Sequence, residues 1–189
     1  GFKSGNVDYQ SHRNRYGDVD WWDGLEMKNM PGYTTTLLTT LSEDYIKENK
    51  DKPFCLYIAH AAPHSPMQGP NEKAIRTEAT LEGDKNSDRP NKEIYKDMVE
   101  ELDWSVGRIL ETLKKYKLDK NTFVVFFSDN GPVINNGGST GGYRGAKGAP
   151  WEGGHRVPGI CYMPGTVKGG TMCKQTVMSF DLFPTMLDM

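Results

Sequence analysis

The chain is poor in cysteine, in uninterrupted apolar sequence and in net charge, and each shortage removes a class of explanation. Its three cysteines, Cys55, Cys161 and Cys173, are odd in number and widely spaced, so they form neither a zinc-ligand pattern nor an obvious disulfide framework. Cys55 falls within an apolar run and is expected to be inert core. No apolar run approaches the ~20 residues needed to cross a bilayer. The 23 Lys and Arg nearly balance the 25 Asp and Glu, for a formal charge of −2. That leaves no electrostatic footprint for nucleic acid and no polybasic membrane patch. Asn-x-Ser/Thr sequons, internal repeats and low-complexity tracts are all missing. No signal peptide is visible at the start. Gly1 has no initiator Met before it, and Met189 falls inside a helical pattern, so the expectation is a piece of a longer or processed protein. Its 189 residues suffice for one domain with a sizeable core.

The stretch from Thr122 to Pro158 organises the rest. The run Thr122-Phe123-Val124-Val125-Phe126-Phe127 breaks into Ser128-Asp129-Asn130-Gly131-Pro132. A short β-branched and aromatic run bounded by turn residues predicts a buried strand. Its lack of alternation suits a parallel strand covered on both faces. Asp129 and Asn130 then sit just past the strand's carboxyl end, the edge at which open α/β sheets bind ligands. A glycine-rich polar loop from Asn135 to Gly148 follows, carrying Arg144 and Lys147, and Trp151-Glu152-Gly153-Gly154-His155-Arg156-Val157-Pro158 closes it. Hard oxygen donors next to a basic loop point to a cation and an anion held side by side.

Gly1 to Pro31 has little periodicity and predicts a long structured loop, of the kind that is often functional. Trp21 and Trp22, flanked by Asp20 and Asp23, either cover the core edge or stack on a sugar-like substrate. Residues 32–189 form the expected α/β core. Leu37, Leu38, Leu41, Tyr45 and Ile46 mark a helix over Tyr33 to Asn49. A second buried strand is expected over Phe54–Ala59, leading into His60-Ala61-Ala62-Pro63-His64-Ser65-Pro66. The prolines around His64 stiffen its backbone. Residues 68–90 are polar and predict a surface excursion. Ile94, Met98, Leu102, Val106, Ile109 and Leu113 make the apolar stripe of a long helix from Lys92 to Tyr116. Strand, helix and strand in this order predict a right-handed parallel crossover, which puts His64 and the Asp129–Asn130 pair on one edge. A third strand is expected at Gly159–Met163. A last helix runs through Leu182, Phe183, Met186 and Leu187, with Ser179 as its cap.

Each site residue has an ordinary reading beside the chemical one. Asp129 and Asn130 suit a hard cation such as calcium or magnesium, or simply make a turn, since Asn-Gly is a common turn dipeptide. His64 suits a general acid, the role histidine side chains commonly fill, or is a loop histidine without a task. His60 is a weaker candidate. Lys147 suits an anionic oxygen, or is a solvated loop lysine; Arg144 and Arg156 could do the same, or pair with acids such as Glu152.

Taken together, Ala62-Pro63-His64-Ser65-Pro66, Ser128-Asp129-Asn130-Gly131, Gly145-Ala146-Lys147-Gly148 and Trp151-Glu152-Gly153-Gly154-His155-Arg156-Val157-Pro158 resemble the type I sulfatases of the alkaline phosphatase superfamily. The resemblance extends to Asp181-Leu182-Phe183-Pro184-Thr185 and so covers most of the chain. It implies an α/β fold with a mainly parallel sheet flanked by helices, here incomplete. It implies that Asp129 and Asn130 are half of a calcium site, with magnesium as the variant. Lys147 and His64 would contact the sulfate and the bridging oxygen and help the alcohol leave. The family nucleophile is a formylglycine hydrate made from a Cys/Ser-x-Pro-x-Arg motif, and the cation neutralises charge on the sulfate oxygens.

Here the chain departs from the pattern. No Cys or Ser is followed by x-Pro-x-Arg, and the family's early aspartate pair, second Lys and His, and carboxyl-terminal subdomain are missing. The chain is therefore expected to hold the middle and later part of a sulfatase catalytic domain, with half a metal site and no nucleophile. Two other readings remain at this point. One is a phosphate-ester or phosphonate hydrolase of the same superfamily, which the shortage of His and Asp ligands disfavours. The other is a module that grips sulfated glycans without cutting them. The resemblance implies a sulfate ester as partner, with a carbohydrate suggested by Trp21, Trp22 and the opening loop. It also implies export to the periplasm or beyond.

Overall fold

The computed structural model describes residues 1–77 and 87–189; part of the surface excursion expected over 68–90 lies outside them. Two helices form the centre. α1 (Thr34–Asn49) and α2 (Asn91–Lys115) pack against one another along most of their length. Their ends match the apolar spacing closely. The buried face of α1 does not: it is Thr34, Thr35, Thr39, Ser42 and Ile46, whereas Leu41 is exposed. The hydroxyls of Thr34, Thr39 and Ser42 can be buried because each finds an acceptor, a condition for burying polar groups; that of Thr35 is buried without one. Thr39 Oγ1 donates to Thr35 O at 2.7 Å and Ser42 Oγ to Leu38 O at 2.7 Å. Thr39 Oγ1 also lies 2.6 Å from Ser105 Oγ of α2. At the outer rim Arg108 pairs with Glu43 at 2.8 Å. The leucine side of α1 turns instead toward residues 54–59, where Leu38, Leu41, Tyr45, Leu56 and Ile58 line an open groove of about 340 Å³.

Residues 54–59 were expected to be a strand paired in parallel with Thr122–Phe127. They belong to no strand, and no ladder joins them to another segment among the described residues. Alternate side chains face α1, and Tyr57, on the open side, is 81% exposed. Cys55 is exposed with it, correcting its placement in the core: alternation sends Phe54, Leu56 and Ile58 inward and Cys55 outward. β3 (Val124–Phe127) instead pairs antiparallel with β4 (Gly159–Tyr162), in the register Val124↔Tyr162 to Phe127↔Gly159. The expected parallel crossover is therefore not closed within the described residues, although the direction in which β3 delivers Asp129 and Asn130 is unaffected.

The opening loop is held by a small core and by the Asp8 carboxylate. Tyr9, Tyr33, Ala62, Met67, Ile94 and Met98 bury together, and the Tyr9 and Tyr33 rings stack with centroids 5.5 Å apart. Gln68 threads this core, accepting Tyr9 N–H at 2.8 Å and donating to Lys73 O at 2.8 Å. Asp8 accepts four backbone N–H groups, from Gln10, Ser11, Ile75 and Arg76. Burial alone would raise its pKa, but these four donors outweigh burial and hold it below the ordinary carboxylate value. β1 (Trp22–Asp23) and β2 (Glu26–Met27) make a minimal hairpin. The chain ends in α4 (Leu182–Asp188) after a 3-10 turn at Ser179–Asp181. The Asp181 carboxylate, not Ser179, organises that turn, accepting Met178 N–H at 2.8 Å.

Candidate active site

β3 ends at Phe127, and the backbone breaks sharply there because Ser128, Asn130 and Gly131 satisfy one another locally. Ser128 Oγ donates to Asn130 O at 3.0 Å, and Asn130 Nδ2 donates to Gly131 O at 2.8 Å. The second bond commits the amide nitrogen and leaves Asn130 Oδ1 as the free polar atom. Asp129 is exposed, and its carboxylate makes no hydrogen bond or ion pair among the described residues. Two uncommitted hard oxygens at adjacent positions fit part of the coordination shell of calcium, which takes six to eight oxygens. They do not complete one: no group of three or more His, Cys, Asp or Glu capable of holding a metal occurs among the described residues.

The glycine-rich loop is folded directly onto this turn. Lys147 N donates to Pro132 O at 3.0 Å, and Gly131 N donates to Gly154 O at 2.8 Å. The close approach depends on three glycines. A Cβ on Gly131 would collide with the carbonyl oxygen of Gly153, one on Gly154 with that of Ala149, and one on Gly153 would sit 2.5 Å from that of Gly145. Gly153 and Gly154 lie in α3 (Glu152–His155), a single helical turn. Paired glycines inside a helical turn are unfavourable by propensity, and here they buy backbone contact. The result places the Lys147 loop and the Asp129–Asn130 turn on one rim. Lys147 is exposed, and its ammonium has no hydrogen-bond or ion-pair partner among the described residues.

Two cation–aromatic stacks brace the loop. The Arg144 guanidinium lies 3.7 Å from the Trp151 ring centre, and that of Arg156 lies 4.6 Å from the Tyr143 ring centre. Arg156 also pairs with Glu152 at 3.0 Å. That hydrogen bond and the nearby Tyr143 raise the Arg156 pKa. Of the three basic candidates in this segment, Arg156 is thus committed to a carboxylate, while Lys147 keeps its charge free.

His64 stands on a different loop. Its N–H donates to Ala61 O at 2.8 Å and its carbonyl accepts the buried Tyr9 hydroxyl at 2.9 Å, so the backbone is fixed from both sides. The ring is exposed. Nδ1 lies 2.8 Å from Ser65 O, which favours the tautomer with the proton on Nδ1 and leaves Nε2 for a ligand. The tie to the Asp129–Lys147 rim runs through α2: Ala62 and Met67 pack with Ile94 and Met98, and Lys92 underlies Gly137 in the loop beyond Pro132. His60 is a different case. It is part-buried, with Nε2 3.4 Å from Ser105 Oγ and Nδ1 unpartnered, and desolvation drops its pKa to about 4. It is a neutral packing histidine.

Trp21 and Trp22 belong to the opening loop. Trp21 is 1% exposed and packs on His12, with ring centres 4.7 Å apart. It offers no face to a ligand, which corrects its reading as a substrate platform: the indole is core. Trp22 is half-buried, with its Nε1–H donated to Asp20 at 2.8 Å and the Lys3 ammonium 3.2 Å from its ring centre. The sequence reading missed the Gly131–Gly153–Gly154 stack; its signal was the Gly-Gly pair beside an Asn-Gly turn.

The family model described as Sulfatase matches residues 2–189. The chain is 35% identical over 159 residues to steryl-sulfatase of Rattus norvegicus, covering 80% of this chain and 25% of that protein. It is 36% identical over 161 residues to N-acetylgalactosamine-6-sulfatase of Mus musculus, covering 82% of this chain and 28% of that protein. The solved structure of Ps i-CgsB in complex with k-i-k-neocarrahexaose superposes with a TM-score of 0.82 at 27% identity, over 100% of this chain and 44% of that one. The chain thus spans about a quarter of the curated relatives it matches and under half of that structure. The α/β, alkaline-phosphatase-like fold class follows from this likeness, with the described strands forming one part of it.

Proposed function

Because this chain belongs to the sulfatase family, we propose that it is the middle and later part of the catalytic domain of a sulfuric ester hydrolase, and that Asp129, Asn130, Lys147 and His64 serve its sulfate site. One observation carries the reading: the Lys147 main chain is bonded to Pro132 O at 3.0 Å, immediately beyond the Asp129–Asn130 pair. That bond joins the backbone of the loop carrying Lys147 to the turn carrying Asp129 and Asn130, which supports a shared site for the ammonium and the two oxygens.

The division of labour follows from the chemistry of each group. The Lys147 ammonium donates to a sulfate oxygen and balances the charge that builds there as the ester bond breaks. His64, with Nδ1 directed to Ser65 O, presents Nε2; when protonated it delivers that proton to the bridging oxygen as the alcohol departs. Asp129 and Asn130 Oδ1 contribute two oxygens to a divalent cation, for which calcium is the best fit and magnesium the variant. When bound, such a cation withdraws charge from the sulfate oxygens. The remaining cation ligands and the nucleophile are not among the groups described.

We assign a sulfated carbohydrate as the substrate class. The support is the carbohydrate in the complex with the structural neighbour and the name of the mouse relative; the steryl-sulfatase relative names the competing class. Export to the periplasm or outside the cell remains part of the proposal. No helix among the described residues is long and apolar enough to cross a membrane.

Titrating the chain with inorganic sulfate in the presence of calcium, followed by heteronuclear NMR, tests the reading. Perturbations should centre on Lys147, Asn130 and His64 and should weaken on chelation. Sulfate that binds with no response at Lys147 contradicts it. The chain alone should show no turnover of an aryl sulfate.

A further inference from the structure

Lys147 lies in the middle of a loop whose two ends are clasped by side chains that the sulfate chemistry does not itself require. The Arg144 guanidinium lies 3.7 Å from the Trp151 ring centre, and Arg144 O accepts Gly153 N–H at 2.8 Å. Gly145, at a φ of 85° open to glycine, lets the loop turn beneath the same ring. A Cβ there would meet Trp151 Cβ at 3.0 Å and Cδ1 at 3.2 Å. Trp151 is therefore packed by Arg144 and Gly145 together, although it is 45% exposed. Between the clasped ends, Ala149 N–H closes a turn onto Ala146 O at 2.9 Å, and Lys147 N–H reaches Pro132 O. Arg144 is an exposed guanidinium with no carboxylate partner among the described residues, unlike Arg156, which is held by Glu152. Its face is used on the indole.

We infer that Arg144 and Trp151 are positioning residues: their stack closes the 144–151 loop and fixes the Lys147 ammonium relative to the Asp129–Asn130 oxygens. This rests on the reading of Lys147 as the anion-holding group. Arg144 takes part without touching the anion, because it acts through the loop. A cation–π stack of this kind sustains about a 2- to 30-fold effect on a dependent equilibrium.

The test is a mutant cycle on the whole chain with inorganic sulfate as probe and calcium present. Arg144→Ala and Trp151→Ala should each weaken sulfate binding within that range, and Arg144→Lys and Trp151→Phe, which keep a cation on a ring, should recover most of it. In a Lys147→Ala background, Arg144→Ala should change sulfate affinity by less than about two-fold, because its route to the anion is gone. Hydrogen exchange at the Lys147 amide, whose acceptor is Pro132 O, gives a second readout, faster in both alanine variants. Arg144→Gln, which keeps the length of the side chain without its charge, replaces Arg144→Ala if the latter does not fold. Equal loss of affinity with and without Lys147 would make Arg144 a direct anion ligand and overturn the inference. So would unchanged affinity and exchange in both alanine variants. If the wild-type chain binds no sulfate but the Lys147 amide still exchanges faster in Arg144→Ala, the clasp stands and the sulfate reading falls.

Discussion

Lowering the pH should unfold this chain partly through one histidine that has no place in the proposed chemistry. His60 is packed beside Ser105 of α2 with Nδ1 unpartnered, and burial depresses its pKa from 6.5 to about 4. The folded state therefore keeps the imidazole neutral where the unfolded chain would protonate it. The unfolded state binds more protons across that interval, so stability rises with pH there and is lost as the pH falls from about 6.5 toward 4. The full separation corresponds to about 3 kcal/mol, and about 2 kcal/mol of it is lost by pH 5. The assay is urea denaturation at pH 7.5 and pH 5 for the wild type and for His60→Gln, which keeps a donor for Ser105 and cannot titrate. The variant should lose about 2 kcal/mol less than the wild type between the two pH values. Other groups, Asp8 and His12 among them, also titrate, but they are common to both proteins and cancel in the difference. Parallel losses in the two proteins would refute the burial argument.

Other outcomes follow from the same geometry. Asp8→Ala leaves four backbone donors without their acceptor and should cost about 3 kcal/mol or more in a urea melt. The depressed Asp8 pKa adds stability above the unfolded-state value that is lost as the pH falls through the folded one; Asp8→Asn should flatten that acid limb. Gly154→Ala drives a Cβ into the carbonyl of Ala149 and should weaken sulfate binding while the α1–α2 pair, measured by helical circular dichroism, stays intact. Removing divalent cations with a chelator should lower sulfate affinity in the wild type and have no further effect in Asp129→Ala.

Much of this molecule was legible before any coordinates, and the exceptions have physical causes. The helices showed themselves by period: Ile94, Met98 and Leu113 of the predicted stripe are all buried in α2. The buried face of α1 was misjudged because the leucines are the more apolar residues. Thr39 and Ser42 hold that face by donating back to carbonyls one turn earlier, and Thr39 also bonds Ser105 of α2. The run Phe54–Ala59 carries strand-like residues, but a strand needs a partner and none of the described residues supplies one. Trp21 could not be assigned from sequence, since a core indole and a sugar platform have the same composition around them. That the Lys147 loop meets the Asp129–Asn130 turn was readable as a motif. The glycine stack that produces it was not, because it depends on which backbones touch.

The central claim is that Asp129, Asn130, Lys147 and His64 share one rim, and a paramagnetic probe measures this most directly. Replacing calcium with a paramagnetic lanthanide and recording side-chain NMR signals should broaden the Lys147 ammonium and the His64 ring together, and Asp129→Ala should abolish both effects. A lanthanide that depends on Asp129 and broadens Lys147 while leaving the His64 ring unchanged would place the imidazole elsewhere and contradict the account.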